Sequence, residues 1–212
     1  MKILYQGSPG AYSHLAALQA YPDAEIISCK TFDQCFEQAK KNDELRIIIP
    51  ESNRTTGSIG IEYLIFKYRL NIYAEHFFKI EHNLLGVKGA KVKDLKNVFS
   101  HAQALSQCSK FINNNELIAN IHADTAGSAE LISKNKKKNE AAIASKLSAE
   151  IYNLEIIAKN IEDEKGNATR FLIMGNRVQQ PDKHEGKFIT SILFKLKSKP
   201  AALYQSLGGF AI

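Results

Sequence analysis

Tryptophan is absent from the 212-residue sequence while Lys, Asn and Ile are abundant, a skew that nucleotide bias in a gene produces and that carries no chemistry. Only three cysteines occur, Cys29, Cys35 and Cys108. They form no C-x-x-C pair and are odd in number, which argues against a disulfide framework and suits reduced thiols in a cytoplasmic protein. No segment approaches the roughly 20 apolar residues of a membrane span. Met1 to Gly7 holds too few apolar residues for a signal-peptide core, so a cytoplasmic chain with no membrane partner is expected. G-x-G-x-x-G and G-K-[ST] are both missing, although Gly7 and Gly10 flank Ser8-Pro9, and a nucleotide therefore has no cradle. The histidines include no H-E-x-x-H and none has a cysteine at ligand spacing, so no metal is expected. His76 and His82 stand at even spacing and would share a strand face as structural or interfacial residues.

A block of one charge is missing as well. The formal charge is +6, but 28 basic and 22 acidic residues are interspersed, which favours small anionic ligands only weakly. The one dense cationic run, Lys134 to Lys138 interrupted by Asn135, has no aromatic residues between its charges and follows an apparent helix end at Ser133. It reads as a solvated turn, and no nucleic-acid partner is expected.

What is present is 44% hydrophobic residues, ordinary for a packed globule, in an alternating rhythm. Short apolar runs at Ile3–Tyr5, Glu25–Ser28 and Arg46–Ile49 are each followed by an amphipathic stretch, at Ser13–Tyr21, Phe32–Lys41 and Ser58–Arg69. In the second of these Phe32, Cys35, Phe36 and Ala39 recur at helical spacing. This is the β-α-β-α order of a mostly parallel sheet. From Asn71 to Val87 the texture becomes one long extended stretch. The rhythm then restarts: a strand Val98–Ser100, a helix Ala102–Ile112, a strand Leu117–His122, a helix Thr125–Ser133, a strand Ala141–Ala144 and a helix Lys146–Tyr152. A second extended run, Glu155–Ile161, leads out of this unit, and after a loop at Glu162–Thr169 Arg170–Met174 supplies a further strand. Two such crossings imply two α/β lobes with a cleft between them.

Ser8, Ser13, Ser52, Asn53, Ser100, Thr125 and Ser145 stand at strand-to-helix junctions, where exposed backbone N–H groups suit carboxylates or phosphates. Taken singly each is most simply a helix cap. Together, at the carboxyl ends of the strands of an open sheet, they favour a small anionic ligand. The segment Asn160–Phe171 is unusual in crowding Glu162, Asp163, Glu164, Asn167, Thr169 and Arg170 around one glycine.

In this segment Asn160-Ile161-Glu162-Asp163, followed by Asn167-Ala168-Thr169-Arg170-Phe171, resembles the signature of prephenate dehydratases. Five further segments resemble that family in the same order: Gln6 to Ser13, Glu81 to Leu85, Ser100 to Leu105, Asp124 to Ala129 and Ala141 to Ser145. The likeness runs almost continuously from residue 1 to 175. It implies a catalytic domain similar to type II periplasmic binding proteins, with one lobe from residues 1–76 and 160–175 and the other from 77–159. It also implies a cofactor-free cytoplasmic enzyme of phenylalanine biosynthesis, which converts prephenate to phenylpyruvate, carbon dioxide and water. Thr169 is then the catalytic donor to the departing hydroxyl, and Arg170 fixes charge beside it. Asn53, Ser13 and Thr125 are substrate contacts, and Phe171 lines or underlies the site. One segment departs from the family: Pro50-Glu51-Ser52-Asn53-Arg54 stands where Pro-Ile-Glu-Asn-Ser is usual. Asn53 matches, whereas the acid and the serine do not, and Arg54 either adds a carboxylate contact or occludes the cleft. The rivals are an arogenate dehydratase, which shares these motifs, and a homologue that binds ligand without catalysis.

Residues 176–186 read as a linker and 187–212 as an incomplete ACT domain, with a strand Lys187–Lys197 and a helix Ala201–Phe210. Without the rest of that domain, regulation by phenylalanine is expected to be lost. The unpartnered strand would invite pairing, by docking, by exchange into a homodimer or by aggregation.

Overall fold

The computed structural model describes residues 1–178, 189–190, 192 and 194–210. The chain divides into two compact units, residues 1–179 and 180–212.

In the first unit the opening rhythm is present as β1 (Lys2–Gln6), α1 (Tyr12–Ala20), β2 (Glu25–Cys29), α2 (Phe32–Lys41) and β3 (Leu45–Asn53). Thr31 starts α2 by accepting a hydrogen bond from the Gln34 amide on its side chain, and Cys35, Phe36 and Ala39 form the buried stripe. The expected helix from Ser58 begins later. Gly57–Ser58 pairs with β3 as a short β4, and α3 spans Glu62–Tyr68. The single extended stretch expected from Asn71 is in fact two strands in different sheets, β5 (Asn71–Lys79) and β6 (Asn83–Gly86).

After β7 (Asn97–Ser100) the expected helix is broken at Cys108, whose φ of −117° and ψ of 21° leave the helical region, into α4 (Ala102–Gln107) and α5 (Ser109–Asn114). Then follow β8 (Ile118–Ile121), α6 (Thr125–Asn135), β9 (Glu140–Ala144), α7 (Lys146–Ile151), β10 (Glu155–Ala158) and β11 (Ala168–Gly175).

The first sheet has the order β2-β1-β3-β11-β5, with β4 on β3; the second has the order β10-β6-β9-β7-β8. The chain passes between them twice, after β5 and after β10, which is the two-lobed α/β architecture expected. The two crossings are stitched together: Ile80 N–H donates to Asn167 O and Ile161 N–H to His82 O, both at 2.9 Å.

Alternation along the strands builds a core on each face of the first sheet. Leu172 and Met174 join Leu4, Phe36, Ile47 and Leu64 on one face. Phe171 and Ile173 join Ile3, Tyr5, Ala16, Ala17 and Ile48 on the other, under α1. The second sheet is covered likewise, with Leu84, Val98 and Ile143 on one side and Leu85, Ala129 and Ala142 on the other.

In the second unit the described residues of the expected strand, 189–190, 192 and 194–197, belong to no strand. The helix is present as α8 (Ala202–Gly208). The rest of that strand and most of the expected linker lie outside the described residues.

Phe36 is fully buried in the first-lobe core. Phe36→Ala is expected to lower the unfolding free energy by about 3–5 kcal/mol in denaturant titrations.

Candidate active site

Thr169, the second residue of β11, lies opposite Asn53 at the end of β3, and the two side chains meet. Asn53 Nδ2 donates to Thr169 Oγ1 at 2.9 Å and to Asn167 Oδ1 at 2.8 Å. Both Asn53 and Thr169 are buried, at 7% and 6% exposed, so their polar atoms must be matched within the protein.

The direction of these bonds is fixed by one atom. The Thr55 backbone N–H, which can only donate, meets Asn53 Oδ1 at 3.0 Å. Asn53 Oδ1 must therefore be on that side and the NH2 group must face Thr169, whose oxygen accepts. Among the described residues the Thr169 hydroxyl donates to nothing, and its hydrogen is left for a ligand.

The same logic runs on into the second lobe. Asn167 uses its oxygen for Asn53, so its Nδ2 donates to Gln107 Oε1 at 3.1 Å, and Gln107 Nε2 donates to Thr55 Oγ1 at 2.6 Å. Thr55 Oγ1 in turn donates to Asn53 Oδ1, also at 2.6 Å. Gln107 Oε1 also lies 2.8 Å from His82 Nε2, which must then carry the ring proton. His82 Nδ1 is left as an acceptor, 2.8 Å from the Tyr12 hydroxyl. Burial pushes the Tyr12 phenol well above its usual pKa, so it stays protonated, and its one hydrogen lies within reach of both His82 Nδ1 and the Glu81 carbonyl oxygen at 2.9 Å. Burial also holds His82 below its ordinary value, against the opposing pull of Gln107 and Glu162.

A second contact between the lobes lies at the loop before α1. Gly10 has a φ of +91°, and a Cβ there would lie 2.6 Å from Ser148 Oγ, so glycine is required. Its carbonyl accepts from Ser145 Oγ at 2.6 Å and Ser148 Oγ at 3.0 Å, at the start of α7. Ser8 Oγ donates to Asp124 Oδ2 at 3.4 Å, tying the approach to α1 to the residue that caps α6. Ser13 and Thr125 therefore sit in the first turns of two helices whose entry segments touch, but neither bonds to Thr169. Thr125 is not the cap of α6; Asp124 is. Ser100, another of the junction residues, is fully buried and donates to Ile143 O.

One expected site residue belongs elsewhere. Arg170 does not lie beside the Thr169 hydroxyl, because neighbours on a strand face opposite ways. Its Nε donates to Glu75 at 2.7 Å and its Nη1 to Glu51 at 3.2 Å, so two carboxylates already neutralise it. Phe171 is 1% exposed and packs in the core under α1, beneath the strand that carries Thr169 rather than on a pocket wall. Glu51, the acid displaced by one position from the family pattern, stands at a bulge where Arg170 pairs with Ser52 and Phe171 with Pro50. Arg54 donates its N–H to Ala168 O at 2.9 Å, and its Nη1 lies against the Gly166 turn. His76 and His82 do not share a strand: His82 lies beyond β5, in the first crossing.

Tyr12, Thr55, His82, Gln107 and Asn167 were not singled out from sequence as site residues. Gln107 had a local signal, since it follows Gln103 by one helical turn, and Gln103 Nε2 donates to Thr56 Oγ1. Among the described residues no group of three or more His, Cys, Asp or Glu side chains is placed to hold a metal, and no helix is long and apolar enough to cross a membrane.

Residues 3–179 match the family model described as prephenate dehydratase. The chain belongs to the prephenate dehydratase family. Arogenate dehydratase/prephenate dehydratase 1, chloroplastic, of Arabidopsis thaliana is 39% identical over all of this chain and 54% of its own length. This chain thus spans about half the length of the plant members it matches first. The bifunctional N-acyl-homoserine lactone acylase/prephenate dehydratase of Komagataeibacter europaeus is 36% identical over 99% of this chain and 75% of that protein. The crystal structure of prephenate dehydratase from Arthrobacter aurescens in complex with L-Phe superposes with a TM-score of 0.85. It covers all of this chain and 72% of that one at 21% identity, a likeness of fold.

Asn53→Asp would place an acceptor against Asn167 Oδ1 and Thr169 Oγ1. It is expected to lower the unfolding free energy by about 1–3 kcal/mol in urea titrations at neutral pH. Burial holds His14, His76 and His82 below the ordinary 6.5 in the folded chain, so the unfolded chain takes up protons first as pH falls. Stability is accordingly full above pH 6.5 and is lost as pH drops below it, ahead of the further loss from Asp33, Glu62 and Glu140, whose pKa values are lowered. Urea unfolding over a pH series is expected to show this slope.

Proposed function

We propose that this protein is a prephenate dehydratase, a carbon–oxygen lyase that converts prephenate to phenylpyruvate for phenylalanine synthesis. The observation that carries the reading is the Thr169 hydroxyl: buried, fixed as an acceptor from Asn53, and left with an undirected hydrogen.

In the reaction the bond between the ring and its carboxylate breaks and releases carbon dioxide. The electron pair enters the ring, the para carbon–oxygen bond breaks, and aromatisation drives the step. The group that leaves is hydroxide unless it is met by a donor. Thr169 is too weak an acid to protonate it outright, so it donates a hydrogen bond to the departing oxygen while a proton is relayed from solvent.

The substrate is a dianion. The first turn of α1, with Ser13, is the candidate for a carboxylate, because α1 has no side-chain cap and its first N–H groups remain to bind an anion. Thr125 is a candidate through its hydroxyl, since the Asp124 carboxylate already occupies the start of α6. Asn53 contributes by orienting Thr169. Arg170 has no direct role in this reading, since Glu51 and Glu75 hold it.

Relatives at 38% identity are named arogenate dehydratases, which favours arogenate as a second substrate. Incubation with prephenate and with arogenate, following phenylpyruvate and phenylalanine, decides between them. With the preferred substrate Thr169→Ala is expected to lower kcat on the order of 10²–10³-fold, with Thr169→Ser retaining most of it. Normal turnover by Thr169→Ala would refute the assignment.

A further inference from the structure

We propose that His82 is a positioning residue for the Thr169 hydroxyl, acting through the amide of Gln107. His82 is 2% exposed and sits in the first crossing between the lobes, its backbone N–H on Glu162 Oε2 at 3.0 Å and its ring edge-on to Tyr12. Both ring nitrogens are engaged, one by Tyr12 and one by Gln107. Because Gln107 Oε1 accepts from Asn167 and faces Nε2, the ring proton is on Nε2, and Nδ1 shares the Tyr12 hydroxyl with the Glu81 carbonyl oxygen, 2.9 Å from it.

That donor keeps the amide of Gln107 the right way round. Its oxygen takes hydrogen bonds from His82 and Asn167, and its NH2 group is turned to Thr55 Oγ1. Thr55 Oγ1, accepting from Gln107, donates to Asn53 Oδ1, and Asn53 presents NH2 to Thr169. If the Nε2 donor is removed, only the Asn167 donor still opposes a turn of the Gln107 amide. Its NH2 group would then face the NH2 group of Asn167, and its oxygen would draw the Thr55 hydroxyl away from Asn53. The Asn53 amide would keep its sense from the Thr55 backbone N–H but lose its hydroxyl donor, and the Thr169 oxygen would be less firmly positioned. His82 does not touch Thr169, so the effect falls on the chemical step rather than on binding.

The kinetic arm rests on the dehydratase reading; the spectroscopic arm does not. His82→Gln can return an amide N–H to the Nε2 position, whereas the shorter His82→Asn ends near Nδ1. His82→Gln is expected to keep kcat within a few-fold. His82→Asn is expected to lose on the order of 10- to 100-fold in kcat with KM nearly unchanged. Equal losses in the two variants, or a change in KM alone, would overturn the role. Nitrogen NMR of the unaltered protein should find the His82 proton on Nε2, and a proton on Nδ1 overturns the proposal even where neither variant folds. The side-chain NH2 signals of Asn53 and Asn167 should shift in His82→Asn and return in His82→Gln. Signals that stay put overturn the positioning role whether or not prephenate is turned over, while failure of the unaltered protein to form phenylpyruvate sinks the dehydratase reading alone.

Discussion

The site depends on one hydrogen bond whose direction cannot be reversed, from the backbone N–H of Thr55 to Asn53 Oδ1. Side-chain amides and hydroxyls change partners easily in water. In a site where Asn53, His82, Asn167 and Thr169 are all under 10% exposed they cannot, because each reversal would set donor against donor. A single fixed amide therefore dictates the sense of the bonds that lead from Thr169 to His82. The network needs no ion pair, and its charges lie outside it: Arg170 is held on the opposite face of the sheet.

Much of the fold was legible because local pattern and tertiary outcome agree. In α2 the stripe of Cys35, Phe36 and Ala39, the Thr31 cap and Lys40 and Lys41 in the last turn all specify one helix. The places that misled are those where tertiary contacts override the local pattern. Ser58 has a helical neighbourhood but is drawn into a strand by Ser52. Cys108 sits within an apparently continuous helix yet marks its break, and its buried side chain packs with Leu105 and Ile112. The stretch from Asn71 carries no turn signal at residues 80–82, because its break comes from leaving one sheet and entering another.

The site was legible in part. Thr169 and Asn53 stand in segments that resemble the family, and strand pairing brings them together. Arg170 was misplaced by its adjacency to Thr169 in sequence, although a strand that begins at Ala168 turns consecutive residues to opposite faces. His82, Gln107 and Asn167 come from the first crossing, a helix of the second lobe and the second crossing. Their meeting follows from topology, and nothing in their spacing announces it.

The two places where the lobes touch are unequal. At Gly10 the serines of α7 bond in a buried setting, and a left-handed glycine with no room for a side chain makes that contact intolerant of change. At Thr55 and Thr56 the bonds to Gln107 and Gln103 are exposed, and water can replace them at little cost. Parting the lobes is therefore cheapest on the threonine side. The Gly10 seam is thus the firmer of the two contacts and the Thr55–Thr56 turn the more yielding.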